Sequence, residues 1–295
     1  MKEITQTEQK NILLDMLKYV DEVCRKNNIK YFLYGGTLIG AIRHKGFIPW
    51  DDDLDICVPY NEYRKLIKIL KQDNKYNVHN PYDNEDYYYF FTKLTDKRTI
   101  LIEDNYNRIK DMGVFLDIFP FYHLPDSTEE YNKLYKKIKK IENQYFRFYG
   151  YEKYYYNKSK IKSIIKSIVF FPQFILKRKF KRNRQELLDL IEKNNIVQTE
   201  HIGNPIPPNS YNQRFATETF EKTIDVEFEG IKACAPVGYE EYLTKTYGNY
   251  MQLPPEDKRV TEHHFKAYWK EWKRIMLISL YKNKGEHNGS IYRKI

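Results

Sequence analysis

Four carboxylates fall within five residues at Asp51-Asp52-Asp53-Leu54-Asp55, and another acid, Asp117, interrupts the apolar run Val114-Phe115-Leu116-Asp117-Ile118. In a strand, Asp53 and Asp55 would share one face, about 7 Å apart along the chain. Carboxylates held that close repel, and burying them uncompensated would be costly or would force protonation. A divalent cation resolves the conflict. Hard oxygen ligands on a rigid strand suit Mg²⁺ or Mn²⁺, whose remaining positions are commonly filled by phosphate oxygens and water. Upstream lies Tyr34-Gly35-Gly36-Thr37. Glycines allow the backbone to approach a phosphate closely, and the N–H groups opening a helix favour anions. Three acids (Asp53, Asp55 and Asp117) on two strands beside a Gly-Gly turn suit phosphoryl or nucleotidyl transfer. Taken alone, an Asp-x-Asp pair more often caps or solvates a loop and a Gly-Gly is more often a turn. The strand position and the preceding Gly-Gly-Thr favour the catalytic reading.

The elements that would position these residues follow from periodicity. Ile12, Leu13, Met16, Leu17, Val20, Val23 and Cys24 form one stripe at helical spacing, predicting an amphipathic helix over 7–28. A strand at 31–34 ends at the glycines, with Thr37 as N-cap of a short helix over 38–44. Leu54, Ile56 and Val58 alternate as in a half-buried strand that Pro59 ends. A helix is expected over 61–73, and strands over 87–94, 99–103 and 113–119, the last closed by Pro120. Residues 127–184 turn helical and rich in Lys and Tyr, with a further helix over 183–194. A hairpin is expected at 223–228 and 231–235 around Gly230, then a helix over 239–247 and a last one over 264–280. Strands mixed with helices without strict alternation indicate an α+β, or mixed α/β, fold. The expected division is a catalytic core at 1–126, a helical basic insertion at 127–210, and a closing segment at 211–295 that completes the core.

The 295 residues are 41% hydrophobic and 31% charged, and 28 Tyr, 17 Phe and 3 Trp mean that rings must supply much of the core. Collagen, coiled coil and wholesale disorder are excluded on that composition. The three cysteines, at 24, 57 and 234, show neither a disulfide framework nor a metal-binding spacing. With no apolar leader at the N-terminus, a reducing, cytoplasmic setting is expected. The net charge is +10, and ten basic residues without an acid lie between Lys158 and Arg184. The remainder is therefore formally neutral. A basic island of that kind predicts a local contact surface, not nucleic-acid binding. Together with the apolar residues over 161–176, it suggests peripheral contact with anionic membrane through 158–184; the alternative is an amphipathic helix packed on its own domain.

The block from Gly35-Gly36-Thr37-Leu38 through Arg43-His44-Lys45-Gly46-Phe47-Ile48-Pro49-Trp50 to Asp55 resembles the signature of the LicD family, which is similar to the fukutin-type transferases. The likeness extends to Lys93-Leu94-Thr95-Asp96, the segment 113–120, Phe228-Glu229-Gly230 and the stretch 247–255. It implies a nucleotidyltransferase-like mixed sheet flanked by helices, with paired acids on Mg²⁺ or Mn²⁺. It also implies transfer of a phospho-alcohol, typically phosphocholine, from a CDP-linked donor to a sugar hydroxyl of a cell-surface glycan or teichoic-acid precursor. Some acceptors of the family are lipid-linked. On this reading Asp53, Asp55 and Asp117 are metal-binding and catalytic, with Asp117 as ligand or base. Gly35, Gly36, Thr37, Arg43, His44 and Lys93 would meet the donor. Alternatives are a CDP-ribitol- or CDP-glycerol-dependent enzyme, an NTP-using nucleotidyltransferase, and a basic membrane- or nucleic-acid-binding module.

Overall fold

The computed structural model describes residues 1–83, 87–103, 109–155, 176–195, 198–206, 213–261 and 265–270. Helix α1 (Gln6–Lys26) opens on a capping box in which Thr5 and Glu8 bond reciprocally, and it buries Ile12, Leu13, Met16, Leu17 and Val20. Then come β1 (Phe32–Leu33), α2 (Gly35–His44), β2 (Asp55–Pro59), α3 (Tyr60–Asp73), β3 (Asn77–His79), β4 (Thr92–Thr95), β5 (Thr99–Glu103) and β6 (Phe115–Leu124). Helices α4 (Thr128–Tyr155) and α5 (Leu176–Asn194) follow, then β7 (His201–Gly203), β8 (Phe215–Ala216), β9 (Thr223–Phe228), β10 (Ile231–Pro236), α6 (Tyr239–Tyr247) and β11 (Phe265–Trp269). This is the mixed α+β class expected from the sequence.

The central sheet runs β1-β2-β6-β4-β3, with β7 and β8 extending from the far end of β6. Only β2 and β6 are parallel among these pairs, so Asp55 and Asp117 stand directly abreast. One large core joins α1, α2, α3 and the sheet. A second, smaller core buries Tyr131, Ile138, Leu187 and Ile191 of α4 and α5 against Tyr122 and Leu124 at the end of β6. Rings fill much of this interior, as the composition requires: Tyr34 meets Phe119, Phe121 and Tyr242 at centroid distances of 5.2, 5.4 and 5.7 Å. All three cysteines are free and buried.

Several expectations shift. The strand carrying Asp117 does not stop at Pro120. Asp117 N donates to Leu54 O, so odd-numbered amides of β6 face β2. The missing donor at Pro120 falls on the other flank, between the last β4 pair (Thr92 with Ile118) and the first β7 pair (Tyr122 with Gly203). Ordered strand at 87–94 begins only at Thr92, and β3 is an element that periodicity did not reveal. The helix expected over 264–280 is replaced at its start by β11, which pairs antiparallel with β5 from Phe265 opposite Glu103 to Trp269 opposite Thr99; positions 271–280 lie outside the described residues. The hairpin is as expected, with Glu229 (φ 49°) and Gly230 (φ 75°) in the left-handed region of its two-residue turn. The apolar and basic stretch 156–175 lies outside the described residues. At the end of the basic island, however, Arg184 is 4% exposed and donates to the carbonyls of Tyr87 and Pro81. It serves the interior and is not part of a contact surface. Among the described residues no helix is long and apolar enough to cross a membrane.

Candidate active site

Strand β1 runs antiparallel to β2, so the chain leaves β1 at the edge where β2 begins. Tyr34 N bonds Asp55 O at 3.0 Å, and α2 starts at once. The helix therefore opens on Gly35, three residues earlier than a Thr37 cap would place it. Instead of capping, the Thr37 Oγ1 accepts from Asp55 N at 2.9 Å and pins the start of β2 to the first turn of α2. Gly35 has φ +57°, and a Cβ there would lie 3.4 Å from Asp55 Oδ2 and 3.5 Å from the Tyr247 hydroxyl. A Cβ on Gly36 would lie 2.8 Å from Asp51 Oδ2. The glycines thus let carboxylates close on a helix N-terminus, where negative charge is favoured.

Those contacts make Gly36→Ala informative. Alanine inside a helix ordinarily stabilises by up to about 1 kcal/mol over glycine, whereas here its methyl must displace Asp51. The expected outcome is a folded protein of near-wild-type melting temperature whose transfer rate drops at least about tenfold, because small misplacements of reacting groups cost that much and more. Circular dichroism melts and steady-state rates check it.

Asp53 precedes β2 and does not lie on it. Asp51, Asp52 and Asp53 form the irregular segment ahead of β2, and one carboxylate oxygen of each lies within 4.8 Å of the others. Burial and mutual repulsion act together on the cluster. Asp51 is pushed up to about 7 by burial and then by Asp53. Asp55 is held well above the usual carboxylate range, first by loss of water and then by Asp53, Asp117 and Asp51, with Lys93 pulling the other way. Among the described residues Lys93 offsets only part of this at Asp55. A set of hard oxygen donors in this condition fits a divalent cation; the carboxylate oxygens that lie within 4.8 Å of one another are those of Asp51, Asp52 and Asp53, whereas both oxygens of Asp117 are engaged by Lys93.

Lys93 sits directly across from Asp117 in the antiparallel register of β4 and β6. Its Nζ donates to Asp117 Oδ1 at 2.8 Å and Oδ2 at 2.7 Å, and the residues are 4% and 5% exposed. The ammonium also lies 3.5 Å from the centre of the Phe115 ring, with Tyr89 and Phe91 at 4.6 and 5.1 Å. Lys93 is thus brought to the acids as a clamp on one of them. Arg43 and His44, at the last turn of α2, turn toward the C-terminal loop. Arg43 Nη1 donates to the carbonyls of Tyr250 (2.7 Å) and Gln252 (3.3 Å), and Nε to His44 Nε2 at 2.9 Å. Loss of water and the Arg43 charge both lower the His44 pKa, consistent with a neutral ring accepting that bond. The Glu229 side chain accepts from Phe47 N at 3.0 Å, docking the hairpin turn on the loop after α2.

Two residues join the site without having been assigned from sequence. Asp51 belongs to the acidic run itself, whose uninterrupted spelling was the available signal. Tyr247 closes α6, and its hydroxyl, pushed up to about 12 by burial and then by Asp55, lies on the same side of Gly35 as Asp55 Oδ2. Its signal was membership of the stretch 247–255.

Residues 28–148 match the family model described as LicD/FKTN/FKRP, nucleotidyltransferase domain. The chain is 35% identical over 273 residues to the lipopolysaccharide cholinephosphotransferase LicD of Haemophilus influenzae, covering 91% of this chain and 99% of that protein. A Rickettsia prowazekii protein without an assigned role shares 48% identity over 60 residues, 20% of this chain and 23% of its own length. Human ribitol 5-phosphate transferase FKRP is 43% identical over 46 residues, 16% of this chain and 9% of the human protein. With near-full-length identity joined to a Gly-Gly helix start facing paired acids, the chain belongs to the LicD family and is a phosphotransferase.

Proposed function

We propose that this enzyme transfers phosphocholine from a CDP-linked donor to a sugar hydroxyl of a cell-surface glycan, releasing CMP. The observation that carries the reading is the gathering of acids around Asp55, which feels Asp53, Asp117 and Asp51, with Asp51 and Asp55 drawn against the start of α2. The near-full-length similarity to a cholinephosphotransferase supports the choice of alcohol. With the Gly35 N–H taken by the Tyr242 hydroxyl, Gly36 and the rest of the first turn of α2 receive phosphate oxygens of the donor, and Gly35 gives them room. The acceptor hydroxyl attacks the phosphorus bearing the alcohol, a P–O bond forms, and the P–O bond to the CMP phosphate breaks in line. The hydroxyl proton passes to the acidic segment Asp51–Asp53. Asp117, with an ammonium on both oxygens, is a poor proton acceptor, which favours a ligand role for it over a base role. A bound Mg²⁺ or Mn²⁺ would supply charge neutralisation at the pyrophosphate. The enzyme works at the cytoplasmic face of the membrane, where a lipid-linked acceptor would be presented.

The similarity to a ribitol 5-phosphate transferase over 46 residues keeps CDP-ribitol as the second reading. Incubation with CDP-choline, CDP-ribitol, CDP-glycerol or an NTP, each with Mn²⁺ and with EDTA, separates the possibilities. CMP release from CDP-choline that EDTA abolishes is the expected result. Release from CDP-ribitol alone would move the assignment to the second reading, and pyrophosphate release from an NTP would overturn both.

A further inference from the structure

Tyr247 has two unlike ends. Its residue is 46% exposed, yet its hydroxyl and Asp55 Oδ2 both lie within 3.5 Å of one point, the position of a Cβ on Gly35. A tyrosine that merely packed would be covered; one that merely solvated would turn its hydroxyl outward. The placement is built by the residues behind it. Tyr242, one turn earlier on α6, is fully buried, and its hydroxyl accepts from Gly35 N at 3.2 Å. Its ring stacks on Tyr34 and meets Phe215 and Phe220 edge-on at 5.2 and 5.7 Å. Helix α6 is thereby fastened to the helix start that faces the acids, and it ends on Tyr247, after which Gly248 turns the chain at φ +68°.

We propose that Tyr247 touches the substrate: its hydroxyl donates to an oxygen of the transferring phosphoryl group, and its exposed ring forms a wall beside the alcohol that group carries. The choice of a phosphoryl group rests on the proposed function; the placement of the hydroxyl does not. Between the carboxylates and the glycine-opened helix, the ligand part that needs a neutral donor is a phosphate oxygen. Such a bond to a charged group is worth about tenfold or more in affinity.

The test measures equilibrium binding of inorganic pyrophosphate with Mn²⁺ by calorimetry to the wild type, Tyr247→Phe and Tyr247→Leu, with a melt of each as the folding check. Phenylalanine keeps the ring and its packing and loses only the oxygen. A Tyr247→Phe affinity at least tenfold weaker at unchanged melting temperature supports the hydroxyl contact; affinity within twofold of wild type overturns it. Pyrophosphate carries no alcohol, so this readout stands whichever donor the enzyme uses, and the donor panel above decides that separately. For whichever donor is turned over, Tyr247→Leu should raise KM above that of Tyr247→Phe. Equal KM values would overturn the wall.

Discussion

Asp55→Asn is expected to abolish transfer while making the metal-free protein more stable. The two effects share one cause. The Asp55 carboxyl is held well above its ordinary range by burial and by Asp53, Asp117 and Asp51. The folded chain therefore binds that proton more tightly than the unfolded chain, and stability declines as pH rises from the carboxylate range toward the raised value. Asparagine is close in shape and carries no charge to desolvate. Its advantage should be absent near pH 4 and grow toward pH 8, reaching about 0.5–2 kcal/mol, the range of a typical stabilising substitution at a functional site. At about 2–4 °C per kcal/mol for a chain of this class, EDTA-treated samples should show the difference in thermal melts. Manganese should reverse the order. A ligand present at a hundred times its dissociation constant stabilises by about 2.7 kcal/mol, and the wild type should gain this while Asp55→Asn gains little. Activity should fall by more than about a hundredfold, since loss of groups that only orient metal ligands already costs about 10–100-fold. A variant that is less stable at pH 8 without metal and still transfers would show that the cluster is compensated from within the chain.

The acids were legible because their crowding is chemically awkward, and such awkwardness shows in one dimension. The Gly-Gly pair and the hairpin at Gly230 were legible for a related reason: backbone demands leave a local mark. Partnerships across the sheet leave none. That Lys93 clamps Asp117 depends on β4 lying antiparallel to β6 in one register, and nothing in the local spelling of Lys93-Leu94-Thr95 states it. Residues 265–269 read as the start of a helix because the strand they form is defined by β5, more than 160 residues earlier. Arg184 looked like one more cation in a basic island; only the fold shows it reaching the carbonyls of Tyr87 and Pro81. The start of α2 at Gly35 was missed because the Thr37 hydroxyl, a natural cap, is drawn off by Asp55 N.

Lys93→Met is expected to destabilise the fold by about 3–5 kcal/mol, the cost of stranding one partner of a buried ion pair. Nζ and both carboxylate oxygens lie at 2.7–2.8 Å, with the side chains 5% and 8% exposed, so water cannot readily replace the lost cation. Methionine retains most of the stem's packing against Phe115, Phe91 and Tyr89, which confines the loss to the charge and its hydrogen bonds. Adding Asp117→Asn should restore most of the stability, because the double variant strands nothing; the coupling in such a cycle is the signature of the pair. The same cycle separates two roles for this lysine. A lysine that mainly grips the donor's pyrophosphate would, on replacement, weaken donor binding and leave the melting temperature nearly unchanged, with no rescue by Asp117→Asn. A lysine that fixes Asp117 abreast of Asp55 would cost stability first, and the refolded double variant would remain without transfer. The bidentate geometry favours the second outcome. If the melt of Lys93→Met matches wild type, the clamp is not what holds that carboxylate in place.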